Sequence, residues 1–97
     1  MGFKLVIQQR AEEDLDRAIQ YYNNQQAGLG ELFFQEIKET IDYISKHPLS
    51  FAIRYNNVRI GILARYSFLV QYVVVEKVVI IMAFTHSSRN PENWPKK

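Results

Sequence analysis

The sequence predicts an α+β fold in which an antiparallel pair of helices packs on one face of a small, mostly antiparallel sheet. In residues 9–47 the apolar side chains recur at helical spacing. From Phe51 onward they recur with the two-residue period of strands, and short links join the apolar runs. The predicted order is β-α-α-β-β-β, and residues 1–97 are expected to form a single domain with one core.

The first half of the chain contains one predicted strand and both helices. The strand spans residues 3–7, and a helix beginning near Gln9 ends in the run 23–28. The second helix begins near Leu29 and ends at His47-Pro48, because the residue before a proline avoids the α region. The apolar stripes expected to face the core are Ala11, Leu15, Ala18, Ile19 and Tyr22, then Leu29, Leu32, Phe33, Ile37, Ile41 and Ile44. The paired carboxylates of this half occupy helix-favouring positions and are expected on the surface.

Three strands are predicted in the second half, over residues 58–64, 68–75 and 78–84. Both parities of the last two strands are apolar, whereas two helices cover only one face of a sheet. Surplus apolar surface on a small domain marks a protein interface. We therefore expect a partner chain to cover part of the second face or an edge strand. A second copy of this chain, forming a homodimer, is the alternative.

Composition excludes several classes of function. The chain has no cysteine, its two histidines lack metal-ligand spacing, and its four glycines form no phosphate loop. No metal and no cofactor are therefore expected. No apolar run approaches the roughly 20 residues of a membrane span, and the N-terminus lacks signal-peptide features, so a cytoplasmic protein with no membrane partner is expected.

Charge is distributed unevenly along the chain. Residues 1–47 carry a balance of −3 and residues 48–97 a balance of +5. An excess of positive charge on one side favours an anionic partner, with nucleic acid the first candidate. The candidate functional cations of the sheet half are Arg54, Arg59, Arg65, His86 and Arg89.

The apolar run 78–84 leads directly into Thr85-His86-Ser87-Ser88-Arg89-Asn90-Pro91. A rigid strand would thus deliver His86 and Arg89 to the rim of the sheet, where functional groups are common. Arginine can hold a phosphate with two hydrogen bonds, and histidine exchanges a proton near neutral pH. These groups could cleave RNA without a metal, or bind an anionic surface without chemistry, or simply fix the polar tail of residues 90–97. Spacing leaves all three open.

The order of motifs resembles the RelE/ParE superfamily of toxins from bacterial type II toxin–antitoxin modules, often called plasmid stabilisation proteins. The resemblance runs from about residue 4 to 91. The matching residues are Ala11-x-x-Asp14-Leu15, Tyr21-Tyr22, Phe33-x-x-x-Ile37, His47-Pro48, Val58-Arg59, Arg65-Tyr66-x-Phe68-x-x-x-Tyr72 and His86-x-x-Arg89-Asn90-Pro91.

The resemblance implies a compact toxin that a small antitoxin neutralises by wrapping around it. RelE-like members cut mRNA on the ribosome, whereas ParE-like members poison DNA gyrase and are not nucleases. In a nuclease the catalytic candidates are Arg59, Arg65, His86 and Arg89. The candidates for binding a partner or nucleic acid are Arg54, Arg59, Arg65, Arg89 and Trp94.

Two departures weigh against the nuclease branch. His86 is followed by Ser87 rather than by an aromatic residue, and no lysine lies between Lys46 and Lys77. The His-x-x-Arg-x-Pro ending is common among ParE-like members. The resemblance therefore favours gyrase inhibition over mRNA cleavage, and an inactive member that acts as a binding module is the third alternative.

Overall fold

The computed structural model describes residues 3–86, which form a helical hairpin and a five-stranded sheet. The elements are β1 (Lys4–Ile7), α1 (Gln9–Gln25), α2 (Leu29–Lys46), β2 (Ile53–Tyr55), β3 (Val58–Ile62), β4 (Phe68–Val75) and β5 (Val78–His86). Within residues 3–86, neither helix combines the length and the apolar content needed to cross a membrane.

The sheet is mixed, with the strand order β1-β5-β4-β3-β2. β1 runs parallel to β5, and every other neighbouring pair is antiparallel. The α+β class, the helical hairpin and the mostly antiparallel sheet are thus confirmed. β1 is an edge strand that pairs with β5, and β5 pairs with β4 on its other side.

The sequence pattern predicts four strands, and the structure contains a fifth, β2. Asn56 and Asn57 adopt positive φ angles of 42° and 67°, which asparagine tolerates better than most residues. This two-residue turn folds β2 back onto β3, with Ile53 opposite Arg59. A strand of three residues is too short for alternation to reveal it.

The turn between the helices is fixed by Asn23. α1 ends at Gln25, within the predicted run of residues 23–28, and the Oδ1 atom of Asn23 accepts the backbone N–H of Gly30 at 2.7 Å. This bond satisfies one of the free donors at the start of α2. A Cβ atom at Gly30 would lie 2.6 Å from the Asn23 side chain, so this position requires glycine or a displaced Asn23.

The core lies between the hairpin and one face of the sheet. Phe33, Ile37 and Ile44 of α2 are fully buried, and the predicted stripe of α1 contributes to the same cluster. Leu32 is an exception to the predicted stripe, because 62% of its surface is exposed. Phe33 takes the core direction, and the rotation of about 100° per helical residue turns Leu32 away from the sheet.

A β-bulge decides which residues of β5 face the helices. Gln71 lies opposite Ala83 whereas Tyr72 lies opposite Ile81, so β5 contains one extra residue, Met82, at this point. The bulge shifts the parity of β5, and both Ile81 and Phe84 therefore join the core. On the other strands the alternation predicted from sequence holds, although β3 ends at Ile62 rather than at residue 64.

Tyr72 connects β4 to the loop after α2. Its ring is fully buried, and its hydroxyl donates a hydrogen bond of 2.7 Å to the carbonyl oxygen of Pro48. Burial raises the pKa of Tyr72 above the ordinary value of 10.0, and the charge of Arg59 opposes that rise. The phenol therefore remains protonated in the folded protein under conditions that ionise exposed tyrosines.

We predict that Tyr72→Phe lowers the free energy of unfolding by about 1–2 kcal/mol at neutral pH, because the Pro48 carbonyl loses its buried donor. Urea unfolding measures the change, and Tyr43→Phe, on a half-exposed ring, is the control.

The raised pKa of Tyr72 also predicts alkaline sensitivity. The unfolded chain releases the phenol proton before the folded protein does, so stability present below about pH 10 is lost as the pH rises further. Tyr72→Phe should therefore show a shallower loss of stability between about pH 9 and 11 than the unmodified chain. An equal slope in both proteins would contradict the assignment.

Candidate functional site

The turn between β3 and β4, residues 63–67, is held firmly on its inner side. Leu63 is 3% exposed and belongs to the core cluster. The ring centroid of Tyr66 lies 5.2 Å from that of Tyr22 and 5.3 Å from that of Phe33. Arg65 lies on the outer side, and 83% of its side-chain surface is exposed. The fold therefore presents Arg65 on the outer side of a turn that Leu63 and Tyr66 anchor to the core.

Glu36 of α2 binds this turn from the side. Its Oε2 atom accepts the backbone N–H groups of Ala64 and Arg65 at 2.7 and 3.0 Å. Its Oε1 atom lies 3.6 Å from Nε of Arg65, and only 11% of its side chain is exposed. One carboxylate thus contacts both the backbone of the turn and the guanidinium group.

The expectation that the carboxylates of the helical half lie on the surface is wrong for Glu36. Position 36 follows Phe33 by three residues and precedes Ile37, so it falls beside the buried stripe of α2. A charged residue at such a position requires a polar partner. That spacing was the sequence signal for Glu36, and the partner, 28 residues away, was not visible in the sequence.

Asp14 of α1 is a second partly buried carboxylate and corrects the same expectation. Only 12% of its side chain is exposed, and its Oδ2 atom accepts the backbone N–H of Phe84 at 3.2 Å. β1 ends opposite Ile81, and within the described residues no other strand pairs with β5 on that side. Asp14 therefore satisfies a donor that the sheet leaves free, and Arg17 contacts the other carboxylate oxygen at 2.7 Å.

A groove lies between α2 and the turn that carries Arg65. Its cavity has a volume of about 290 Å³. The residues that line it are Glu36, Glu39, Thr40, Tyr43, Phe51, Ile62, Ala64 and Arg65. Ile62 and Tyr43 are 56% and 47% exposed, so this groove offers apolar surface beside charged groups of both signs.

His86 ends β5 on the same rim of the sheet. It lies opposite Phe68 in the register, and the two ring centroids are 5.1 Å apart in an edge-to-face arrangement. Phe68 directly follows the turn that carries Arg65. The structure therefore brings His86 and the Arg65 turn to one end of the sheet.

Arg59 and Arg54 lie elsewhere. The guanidinium group of Arg59 donates hydrogen bonds to the carbonyl oxygens of Phe51 at 2.6 Å and Leu49 at 3.3 Å. Arg59 is near the start of β3, whereas Arg65 follows the end of that strand. Arg54 is exposed on the short edge strand β2. The described cations therefore do not form a single cluster.

Two of the candidate residues, Arg89 and Trp94, lie outside the described residues 3–86, as does the polar tail of residues 90–97. Within the described range, no three histidine, aspartate or glutamate side chains are grouped as metal ligands.

The sheet face away from the helices has a buried glutamine at its centre and exposed apolar residues at its edges. Gln71 is fully buried there; its Oε1 atom accepts the Tyr55 hydroxyl at 2.6 Å, and its Nε2 atom donates to Thr85 at 3.2 Å. Burial raises the pKa of Tyr55, while the charge of Arg10 acts in the opposite direction. Ile62 and Val75, which share this face, are 56% and 53% exposed. Apolar surface on this face is thus available at its edges rather than at its centre.

We predict that the two arginines of β3 and its following turn differ in their effect on stability. Arg59→Ala should lower the free energy of unfolding by about 1–3 kcal/mol, because two loop carbonyls lose their donor. Arg65→Ala should change it by less than about 0.5 kcal/mol, since that side chain is largely exposed. Urea unfolding of both variants measures the two changes, and equal losses of unfolding free energy would contradict this prediction.

The comparisons with known proteins agree with this architecture. The family model described as "ParE toxin of type II toxin-antitoxin system, parDE" matches residues 5–91. A solved chain described as "Chromosomal ParDE TA system from P. aeruginosa" superposes with a TM-score of 0.78 at 22% identity, covering 87% of this chain and 95% of that chain. That likeness shows the shared fold. No curated protein matches the sequence. Because the family model spans nearly the whole chain, this protein belongs to the ParE toxin family of type II toxin–antitoxin systems.

Proposed function

We propose that this chain inhibits DNA gyrase in the bacterial cytoplasm and is neutralised by a cognate antitoxin. The observation that carries the proposal is the family match over residues 5–91, which includes the closing motif His86-x-x-Arg89-x-Pro91. Binding rather than catalysis is the activity we assign to the chain itself.

The position of Arg59 supports binding over RNA cleavage. Metal-free cleavage requires a base, an acid and a phosphate-holding cation around one phosphodiester. Arg59 was one of four candidates for that set, yet its guanidinium group donates to the carbonyls of Leu49 and Phe51. Hydrogen bonds to carbonyl oxygens leave fewer donors for a phosphate.

We assign the target contact to the rim of the sheet that carries Arg65. This residue combines 83% side-chain exposure with a turn that is fixed on both sides. Arg89 and Trp94 are proposed to extend the contact, with Arg54 as a more distant cation. A preformed, charged turn lowers the entropy cost of binding, because little backbone has to become ordered.

Ribosome-dependent mRNA cleavage is the second candidate function. The observation in its favour is that His86 and the Arg65 turn share one end of the sheet. A proton-exchanging group and a cation at one rim are two parts of a nuclease site. A non-toxic binding module is the third.

The decisive measurement is a supercoiling assay with purified gyrase. We predict that the chain blocks supercoiling without degrading RNA, and that Arg65→Ala weakens inhibition at least about tenfold, the loss expected for one well-placed charged contact. Lys46→Ala is the matched control, because this exposed cation lies on the helical layer, paired with Asp42.

Other outcomes assign the alternatives. Cleavage of mRNA on purified ribosomes, with no effect on gyrase, would favour the nuclease. Unimpaired growth of a bacterial host that expresses verified, folded protein would favour the inactive module.

The exposed apolar residues support an antitoxin partner. Leu32, Tyr43, Ile62 and Val75 are each between 47% and 62% exposed, and they lie on both the helical layer and the sheet. A segment that wraps the toxin would cover such separated patches better than one compact partner.

We predict that the product of the adjacent reading frame forms a stable complex with the chain and relieves gyrase inhibition. Light scattering after size exclusion should give the mass of the complex, and fluorescence of an apolar dye bound to the toxin should fall when the complex forms. A dimer of the toxin alone would assign the surface to a second copy. A monomer without dye binding would contradict the proposed interface.

A further inference from the structure

We propose that Glu36 is a positioning residue for Arg65. Its carboxylate fixes the turn of residues 63–67 and directs the guanidinium group along the edge of the groove beside α2. The inference rests on the proposed role of Arg65 in target contact, and it adds a residue on another element that sets the geometry of that contact.

The two carboxylate oxygens of Glu36 have different partners. Oε2 accepts both backbone N–H groups of the turn, from Ala64 and Arg65, at 2.7 and 3.0 Å. Successive N–H groups that converge in this way form a concave site for an anion. Here the anion is a side chain of the protein itself, which leaves Oε1 facing Nε of Arg65 at 3.6 Å.

The inner side of the turn is fixed independently of Glu36. The ring of Tyr66 packs against Tyr22 and Phe33, and the backbone N–H of Phe68 donates to the carbonyl of Tyr66 at 2.8 Å. The backbone of the turn is therefore restrained from two directions. The main effect of Glu36 is therefore on the direction of the Arg65 side chain, which would otherwise rotate freely in solvent.

Burial makes the Glu36 carboxylate effective in this role. Only 11% of its side chain is exposed, so solvent screens its attraction to Arg65 less than it would for an ion pair on the open surface. Glu39, one turn along α2, provides a comparison. It is exposed and accepts a hydrogen bond from Gln35 at 3.5 Å rather than one from the turn.

Glu36→Gln separates positioning from simple anchoring. The amide keeps a carbonyl oxygen that can accept the two backbone N–H groups, but it removes the negative charge opposite Arg65. Glu31→Gln makes the same chemical change at an exposed position of the same helix that does not line the groove, and it is the matched control.

The first readout is gyrase inhibition in a double-mutant cycle. We expect Glu36→Gln to weaken inhibition about fivefold when Arg65 is present and less than about twofold in an Arg65→Ala background, because coupled residues are not additive. Thermal unfolding of each variant verifies that the fold is retained. An equal loss in both backgrounds, or a loss no greater than that of Glu31→Gln, would overturn the inference.

The second readout does not depend on the target. The heteronuclear NOE of the Arg65 Nε–H group reports how restricted the guanidinium is on the nanosecond timescale. It should fall in Glu36→Gln and stay unchanged in Glu31→Gln. A chain that fails to inhibit gyrase would refute the proposed function, whereas an unchanged NOE in Glu36→Gln would refute the positioning role.

Discussion

The packing of the Phe33 ring is the contact on which the rest of this fold depends. The ring is fully buried, and its centroid lies 4.7 Å from that of Tyr22, 5.3 Å from Tyr66 and 5.2 Å from Phe68. One side chain thus joins both helices, the turn after β3 and the start of β4. Aromatic pairs of this kind contribute about 0.5–1.5 kcal/mol each beyond the burial of their area. Because the rings interlock at the rim of the sheet, the same contact that closes the core also fixes the segment that presents Arg65.

The two layers of the fold carry opposite charge, and two partly buried carboxylates cross between them. The helices contain all the acidic residues of the first half of the chain, whereas the sheet half is basic. Glu36 and Asp14 each reach from a helix to backbone N–H groups of the sheet layer. Each accepts a donor that regular strand pairing leaves free, so the crossing is required by hydrogen bonding as well as favoured by charge. The remaining acidic residues of the helices are exposed, and the field of the sheet layer is left positive towards solvent.

The parts of the structure that sequence predicted are those whose signal is periodic and local. Both helical stripes and the alternation in β4 follow from the geometry of a single element, and so does the end of α2 before Pro48. The parts that sequence missed depend on a partner far along the chain. The three residues of β2 are held by β3, and the bulge at Met82 follows from the register with β4. The sequence predicted a surface position for Glu36. Its partner is the backbone of residues 64 and 65, and no fixed sequence spacing links that turn to Glu36.

Sequence alone also fails to distinguish the roles of the candidate cations. Arg59 and Arg65 are both arginines beside apolar strand residues, and the sequence offers no local feature that separates them. The structure separates them through the loop after α2, because the carbonyls of Leu49 and Phe51 lie within reach of Arg59 and not of Arg65. An arginine held by carbonyl oxygens still adds to the positive field of the sheet, but it offers fewer donors for a two-bond contact with a carboxylate or phosphate. Among the described residues 3–86, Glu36 pairs with Arg65 at Nε, and 83% of the Arg65 side chain is exposed, so Arg65 retains donors for such a contact. Arg65 rather than Arg59 is proposed for the target contact because the loop carbonyls of Leu49 and Phe51 engage Arg59. The positions of the arginines in the sequence matter less for this choice.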